Sequence, residues 1–227
     1  ARHEKIVSQQ KIIQLEEEKK LMAARLLVEG QEEERKRIAT ELHDGLGVLL
    51  SATRMQFSTI MDKSPENKEL IERATKMLEQ ASGDVRKISH NMMPGLLTKL
   101  GFYEAVEDLF EKISDTGDIR VMCNITGDQE RLPGNREIML YRIVQELVNN
   151  TLKHAGASVM SIRIQILPDA LDITYSDDGR GFDYEKALES GSLGLKSILS
   201  RVDFLNGKIS VDTQAGKGAA FHIVVPV

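Results

Sequence analysis

The sequence predicts a hairpin of two long helices followed by an α+β sandwich. Three observations support this division. Apolar residues recur at helical spacing through the first part of the chain. A Pro-Gly pair at residues 94–95 then interrupts that pattern, and beyond residue 101 helical and strand patterns alternate. We place a connecting helix at 1–33, the hairpin at 34–98 and the sandwich at 99–227.

The first part of the chain has the pattern of long amphipathic helices. The connecting helix is rich in Glu, Lys and Gln and carries an apolar stripe of coiled-coil type at Ile12, Leu15, Met22 and Leu26. Two further helices are predicted over Glu34–Met61 and Glu66–Met93, with a break at Ser64-Pro65. Because a two-helix hairpin buries only one face of each helix, we expect two copies to form a homodimeric four-helix bundle.

The second part has the pattern of a mixed sheet with helices on one face. Asn206-Gly207 follows a helical segment, so we predict a left-handed helix C-cap there and not a hairpin turn. The predicted elements are a helix over Phe102–Ser114, a strand over Ile119–Ile125, a helix over Asn135–His154, strands over Ser158–Leu167 and Leu171–Ser176, a helix over Leu195–Leu205, and strands over Lys208–Asp212 and Ala219–Val225.

Composition narrows the classes of partner. A net charge of -5 argues against a mainly electrostatic grip on nucleic acid or on an anionic membrane surface. No apolar run approaches the roughly 18–20 residues of a membrane span, so we expect a cytoplasmic location, with membrane attachment only through a segment upstream of Ala1. The single cysteine, Cys123, lies in an apolar run and is predicted to be inert core.

A first group of polar residues lies on the helix predicted over Asn135–His154. Glu146, Asn150, Lys153 and His154 are spaced 4, 3 and 1 apart, so they share one helix face. A phosphate group and its metal ion need oxygen ligands and a cation, and this face offers a carboxylate, an amide, an ammonium and an imidazole. Taken alone, a solvated helix face is the simpler explanation.

A second group follows a predicted strand directly, in Asp177-Asp178-Gly179-Arg180-Gly181. A carboxylate there can accept a hydrogen bond from an exocyclic amine such as that of adenine, and the glycines let a ligand approach the backbone. Taken alone, this pattern is a turn in most proteins. Gly191 and Gly194 follow, and Leu195 opens a helix whose free N–H groups can bind phosphate. Gly216 and Gly218 link the last two strands, where a plain hairpin loop is the simpler explanation.

The order of these segments resembles the nucleotide-binding fold shared by histidine kinases, gyrase, Hsp90 and MutL, known as the Bergerat or GHKL fold, over about residues 100–227. The resemblance implies ATP and Mg²⁺ as cofactors. It implies that Asn150 holds Mg²⁺, that Asp177 binds adenine, that residues 183–192 form a mobile lid, and that Glu146 orients water or the attacking group. The other predicted nucleotide-binding residues are Lys153, His154, Gly179, Gly181, Gly194, Leu195, Gly216 and Gly218.

The hairpin resembles the phosphoacceptor domain of sensor histidine kinases that pair with NarL/DesR-type response regulators. Residues 34–47 resemble the phosphoacceptor segment, and residues 86–94 resemble the end of the second helix. The resemblance implies that His43 is phosphorylated, that Asp44 accepts its Nδ1 proton, and that the partner is a response regulator of the NarL/LuxR type. Imidazole is nucleophilic at neutral pH, and a carboxylate holding one ring proton leaves the other nitrogen free to attack.

Two departures from the family pattern leave other functions open. Many relatives carry a Gln five residues after the histidine, where this chain has Val48, so we expect weak phosphatase activity towards the regulator. Ser192 occupies the first position of the usual Gly-x-Gly-Leu at the end of the lid. The alternatives to a kinase are a phosphatase or docking module for a regulator, and a nucleotide-binding scaffold without transfer activity.

Overall fold

The computed structural model describes residues 2–61, 67–92, 95–133 and 135–227. The chain divides into two compact units, one formed by residues 29–98 and the other by residues 1–28 together with 99–227. The predicted helix break at Ser64-Pro65 and the proline of the Pro94-Gly95 pair lie outside the described residues. No helix within the described residues is both long enough and apolar enough to cross a membrane.

The hairpin unit contains a helix that changes its winding part-way along. Helix α1 spans Arg2–Glu41, a π-helical turn follows over Leu42–Gly47, and α2 spans Val48–Met61. Helix α3 spans Lys68–Met92, and the short helix α4 spans Gly95–Lys99. The prediction of an uninterrupted α-helix over Glu34–Met61 is therefore wrong at the π-turn. Two glycines within this turn lower the helix propensity there, and isolated π-turns occur often at functional positions.

Contacts between α1, α2 and α3 hold the hairpin together. The buried Ser89 hydroxyl donates a hydrogen bond of 2.9 Å to the backbone oxygen of Ala39, and Arg54 forms an exposed ion pair with Glu79 at 3.4 Å. One hairpin alone leaves several large apolar side chains exposed, as expected of a unit that pairs with a second copy. These side chains are Leu46, Leu49, Met55, Ile60, Leu70, Met77 and Ile88.

The second unit is built on one five-stranded sheet with the strand order β1-β2-β3-β5-β4. The strands are β1 over Arg120–Thr126, β2 over Val159–Ile166, β3 over Ala170–Asp177, β4 over Lys208–Thr213 and β5 over Ala219–Pro226. Strands β1 and β2 are parallel and the other neighbours are antiparallel. The predicted mixed sheet is therefore confirmed.

Helices cover one face of this sheet. They are α5 over Phe102–Ser114, α6 over Arg136–Asn150 and α8 over Leu193–Phe204. The short helix α7, over Tyr184–Glu189, packs beside α8 and buries none of its side chains. Alternate residues of β2 and β3 are buried, as expected of a sheet with one covered face. The fully buried side chains between the layers include Phe102, Phe110, Met139, Leu140, Ile143, Leu147, Met160, Ile162, Ile164, Leu171 and Ile173.

The ends of several elements differ from the prediction. Helix α6 ends at Asn150 and continues as a second π-turn over Thr151–Ala155, so the predicted α-helix through His154 is wrong in its last turn. Helix α8 begins at Leu193, two residues earlier than predicted. The left-handed cap is confirmed, because Asn206 has a φ of 55°.

The prediction that Cys123 is inert core is wrong, because its side chain is exposed. Cys123 pairs with the buried Ile162 across β1 and β2, so it lies on the helix-covered side of the sheet. Strand β1, however, is an edge strand, and its residues on that side are only partly covered.

Candidate functional site

His43 lies on the first π-turn with its side chain largely open to solvent, at 74% exposure. Its Nδ1 atom is 2.8 Å from Oδ1 of Asp44. An ionised carboxylate can only accept a hydrogen bond, so the proton of a neutral His43 ring belongs on Nδ1. Nε2 then carries the free lone pair. This arrangement suits a nucleophile that attacks from Nε2.

Two grooves of the hairpin unit meet at His43, and both are also lined by Arg86. The first groove includes Lys36, Thr40 and Asp44, and the second includes Val48. The Arg86 guanidinium donates to Ser82 Oγ at 3.0 Å, which keeps this cation on the part of α3 that lines the grooves. A phosphoryl group on His43 would therefore have a cationic side chain in the same grooves.

The second unit has a cavity of about 250 Å³ beside the end of α6, the end of β3 and the start of α8. Its walls are mainly apolar, and its polar side chains come from the segments singled out in the sequence. Of the predicted site residues, the structure brings Asn150, His154, Asp177, Gly181 and Leu195 to this cavity. The predicted residues that do not line it are Glu146, Lys153, Gly179, Gly194, Gly216 and Gly218.

Asp177 is the last residue of β3, and both of its carboxylate oxygens have partners. Oδ1 accepts from the Gly179 amide at 2.9 Å, and Oδ2 accepts from the Thr151 hydroxyl at 2.9 Å. The hydroxyl of Tyr175 is 2.6 Å from that of Thr151. Asp177 is therefore held in one orientation at the wall of the cavity.

The loop after β3 is fixed by hydrogen bonds from three directions. Oδ1 of Asp178 accepts the amides of Ser158 and Val159 at 2.7 and 2.8 Å. The Arg180 amide donates to the backbone oxygen of Ala155 at 2.9 Å. The Thr213 hydroxyl accepts the Phe182 amide at 3.0 Å. Because these bonds tie the loop to the second π-turn, to the start of β2 and to the end of β4, the loop is a rigid support for Asp177.

Two glycines of the predicted site permit close backbone packing behind the cavity. Gly218 has a φ of +77°, and a Cβ there would overlap the backbone oxygen of Asp177. A Cβ on Gly194 would overlap Oε1 of Glu146 and would lie 3.4 Å from Nδ2 of Asn150. Gly194 therefore brings the first turn of α8 against the polar end of α6, although neither Gly194 nor Glu146 lines the cavity itself.

The segment predicted as a lid contains a short helix, α7. The Asp183 carboxylate caps this helix by accepting the Lys186 amide at 3.1 Å. That backbone hydrogen bond, together with the Lys186 ammonium, holds the pKa of Asp183 below its usual value. Ala187 and Ser192 from this segment line the cavity, so the segment contributes to its wall.

The cavity fits an adenine nucleotide by its chemistry. Leu147, Ile198 and Phe221 offer apolar contact for a flat base, and Asp177 offers a fixed acceptor beside them. Among the residues that the structure describes, no three His, Cys, Asp or Glu side chains converge as a metal cluster.

Comparison with known proteins identifies both units. Residues 34–97 match the family model described as histidine kinase, and residues 135–227 match the model described as histidine kinase-, DNA gyrase B- and HSP90-like ATPase. The chain belongs to the histidine kinase family. These matches confirm the predicted resemblance and the predicted ATP-binding fold of the second unit.

Relatives of this histidine kinase extend beyond the present chain. The histidine-protein kinase/phosphatase DegS of Bacillus subtilis is 31% identical over 222 residues, which cover 88% of this chain and 55% of DegS. DegS of Brevibacillus brevis is 29% identical over 207 residues, covering 88% of this chain and 53% of that protein. The chain thus spans about half the length of these relatives.

A solved structure has the same fold. The histidine kinase domain of the blue-light activated histidine kinase EL346 of Erythrobacter litoralis matches with a TM-score of 0.51 and 18% identity. The match covers 78% of this chain and 95% of that domain. It confirms the predicted fold, helical in the N-terminal region and a mixed α/β sandwich after it.

Sequence reasoning missed three residues that shape the kinase's cavity. Thr151 and Tyr175 hold Asp177, and Asp178 holds the loop that follows it. The only signal for Asp178 was its place in the Asp-Asp-Gly motif. Thr151 and Tyr175 occupy positions on a helical and a strand pattern that indicate nothing more than core packing.

Proposed function

We propose that this kinase uses ATP to phosphorylate His43 and then passes the phosphoryl group to an aspartate of a NarL/LuxR-type response regulator. The observation that carries the proposal is the His43–Asp44 pair, in which Nδ1 lies 2.8 Å from a carboxylate oxygen while the ring is largely exposed. The apolar cavity with a fixed carboxylate in the ATPase-like unit supports ATP as the phosphoryl donor.

In the proposed reaction, the lone pair on Nε2 of His43 attacks the γ-phosphorus and the bond from this phosphorus to the β-phosphate oxygen breaks, releasing ADP. The ring becomes positively charged, and Asp44 stabilises the proton that stays at Nδ1. Bound Mg²⁺ would neutralise charge on the phosphates, with Asn150 as its protein ligand. In the second step an aspartate oxygen of the regulator attacks the same phosphorus, and the bond to Nε2 breaks.

The other predicted site residues have supporting roles in this proposal. Glu146 and Lys153 act at the phosphate end from the surface of α6 and of the π-turn, outside the cavity wall. His154, Gly181 and Leu195 contact the nucleotide from that wall. The glycines that do not line the cavity, Gly179, Gly194, Gly216 and Gly218, act through the backbone geometry that they allow.

The proposal also covers the organisation of the protein. We propose that the chain consists of a connecting helix at 1–33, a phosphoacceptor domain at 34–98 and an ATP-binding domain at 99–227. The phosphoacceptor domain would form a homodimer through the apolar side chains that one hairpin leaves exposed. We propose a cytoplasmic location, where ATP is available to the kinase.

The test is incubation of the purified chain with γ-labelled ATP and Mg²⁺, followed by assay for acid-labile, alkali-stable label. We expect label on the parent and none on His43→Gln or Asn150→Ala. His222→Gln is the matched control, because His222 pairs with Asp172 on the sheet and lines neither the cavity nor the His43 grooves. Label that persists in His43→Gln would exclude His43 as the acceptor. ATP binding without any label on the parent would favour the scaffold alternative.

A further inference from the structure

We infer that Thr151 and Tyr175 are positioning residues, whose hydroxyl groups fix the Asp177 carboxylate so that the site selects the 6-amino group of adenine over a 6-oxo group. This inference rests on the proposed function, because it assumes that the cavity beside Asp177 binds the base of ATP.

The hydroxyl of Thr151 is directed differently from those of other helical threonines. In the hairpin unit, four helical threonines donate to the backbone oxygen four residues earlier in their own helix: Thr40, Thr53, Thr59 and Thr75. Thr151 instead directs its hydroxyl to the sheet, 2.9 Å from Asp177 Oδ2 and 2.6 Å from the Tyr175 hydroxyl. It is the first residue of the second π-turn and is 3% exposed. Its hydroxyl is therefore committed to the sheet and to Asp177.

The direction of both hydrogen bonds follows from the ionised carboxylate. Asp177 can only accept, so the Thr151 hydroxyl must donate to it. The single Thr151 proton is then used, and the Thr151 oxygen must accept from Tyr175. Burial raises the pKa of Tyr175 well above its ordinary value, so this phenol keeps its proton at neutral pH. The Met160 sulfur, 3.6 Å from the phenol oxygen, then packs against Tyr175 and does not take its proton.

Both oxygens of Asp177 are fixed as a result. The Thr151 hydroxyl holds Oδ2 and the Gly179 amide holds Oδ1, each at 2.9 Å. Each oxygen keeps further accepting capacity, and Asp177 lines the cavity. A fixed acceptor binds the 6-amino group of adenine, and it repels the 6-oxo group of hypoxanthine or guanine because two acceptors then face each other. A carboxylate that could rotate would discriminate less, since it could turn away from the oxo group.

The two side chains also pack in the core, so the test must remove hydroxyl groups without removing volume. The Tyr175 ring lies 6.5 Å from that of Phe221, and Tyr175→Phe keeps this contact. Thr151→Val keeps the branched shape but loses the hydroxyl, which both donates to Asp177 and accepts from Tyr175, while Thr151→Ser keeps that hydroxyl. Thr75→Val is the matched control, because Thr75 is a helical threonine bonded only to its own helix, at the Ile71 oxygen, in the other unit.

The experiment is calorimetric titration of the full chain with ATP and with inosine triphosphate, which differs at the 6-position of the base. We expect the parent and Thr75→Val to prefer ATP. Thr151→Val should bind ATP about tenfold more weakly, the effect typical of losing a hydrogen bond to a charged group. Its preference for ATP over inosine triphosphate should shrink by a similar factor. Thr151→Ser should restore the preference, and Tyr175→Phe should show a smaller loss of about threefold.

The ratio of the two affinities separates positioning from stability. An unchanged ratio in Thr151→Val would overturn the inference, even if both affinities fell, because a purely structural defect weakens both nucleotides alike. An unchanged ratio with intact ATP binding would leave the proposed kinase function standing. A parent chain that shows no preference for ATP would overturn the adenine site of the proposed function itself, and the inference with it.

Discussion

Substituting alanine at Gly216 and at Gly218, in the loop between β4 and β5, separates the cost of backbone strain from the cost of steric overlap. Both glycines have left-handed backbone angles, with φ of +83° and +77°. A Cβ on Gly216 would meet nothing within 4 Å, whereas a Cβ on Gly218 would lie well inside 3.0 Å of the Asp177 backbone oxygen. Alanine at either position incurs strain, but only alanine at Gly218 also forces two backbones apart.

The expected magnitudes follow from these two terms. A left-handed conformation costs an alanine about 1–2 kcal/mol, and the lower entropy of the unfolded alanine chain offsets about 0.4–1 kcal/mol of this. Gly216→Ala should therefore lower the free energy of unfolding by about 1 kcal/mol. Gly218→Ala should add an overpacking cost of about 1–3 kcal/mol, because the overlapping atom belongs to the backbone of β3. The total loss for Gly218→Ala should then be about 2–4 kcal/mol.

Urea denaturation, monitored by tyrosine emission, measures the difference in free energy of unfolding between the two variants within one unit of the chain. The chain has no tryptophan, and its tyrosines are all located in the second unit, at Tyr103, Tyr141, Tyr175 and Tyr184. Equal losses of stability for the two variants would refute the reasoning, because the Asp177 backbone would then have yielded at no cost. A larger loss for Gly216→Ala would contradict it outright.

Three further predictions use other parts of the molecule. Val48 is exposed in a groove beside His43. Val48→Gln supplies an amide able to orient water, so this variant should accelerate the loss of phosphate from a phosphorylated regulator. An unchanged rate would show that the site lacks more than this amide. Asp178→Ala removes the acceptor for two amides at the start of β2 and should lower the free energy of unfolding by about 1–2 kcal/mol in urea, whereas Asp178→Asn should lose less. Burial raises the pKa of Tyr141 to about 12, so its protonated form is favoured in the folded state. The resulting stability is present below pH 10 and is lost as the pH rises towards 12; tyrosinate absorbance that rose before unfolding would contradict this.

The order of elements and the motif positions could be predicted because they depend on local patterns. Alternating burial in β2 and β3 followed from alternating apolar residues, and Asn206 followed from its place between a helix and a strand. Asp177 was found because a carboxylate and glycines come directly after a strand. Each of these features depends on the identity of a few consecutive residues.

The second π-turn could not be predicted from local sequence, since its last residue makes a tertiary contact. In this turn the backbone oxygen of Ala155 accepts a hydrogen bond from the amide of Arg180, which is 25 residues away in the sequence. In this turn His154 lines the cavity and Lys153 does not, although both were placed on one α-helical face. Cys123 was misjudged for a similar reason, because strand order decides which apolar strand lies at an edge.

The bond from Ser89 to Ala39 fixes how the two helices of the hairpin can move. It joins a side chain of α3 to a backbone oxygen just before the π-turn that carries His43. Sliding one helix along the other by one residue is a displacement of about 1.5 Å, enough to break a bond of 2.9 Å and leave a buried hydroxyl unpaired, at a cost of about 1–3 kcal/mol. Rotation of the hairpin as a whole leaves the bond intact. Sliding of α3 along α1 is therefore opposed close to the turn that carries His43, whereas motions that carry both helices together are not.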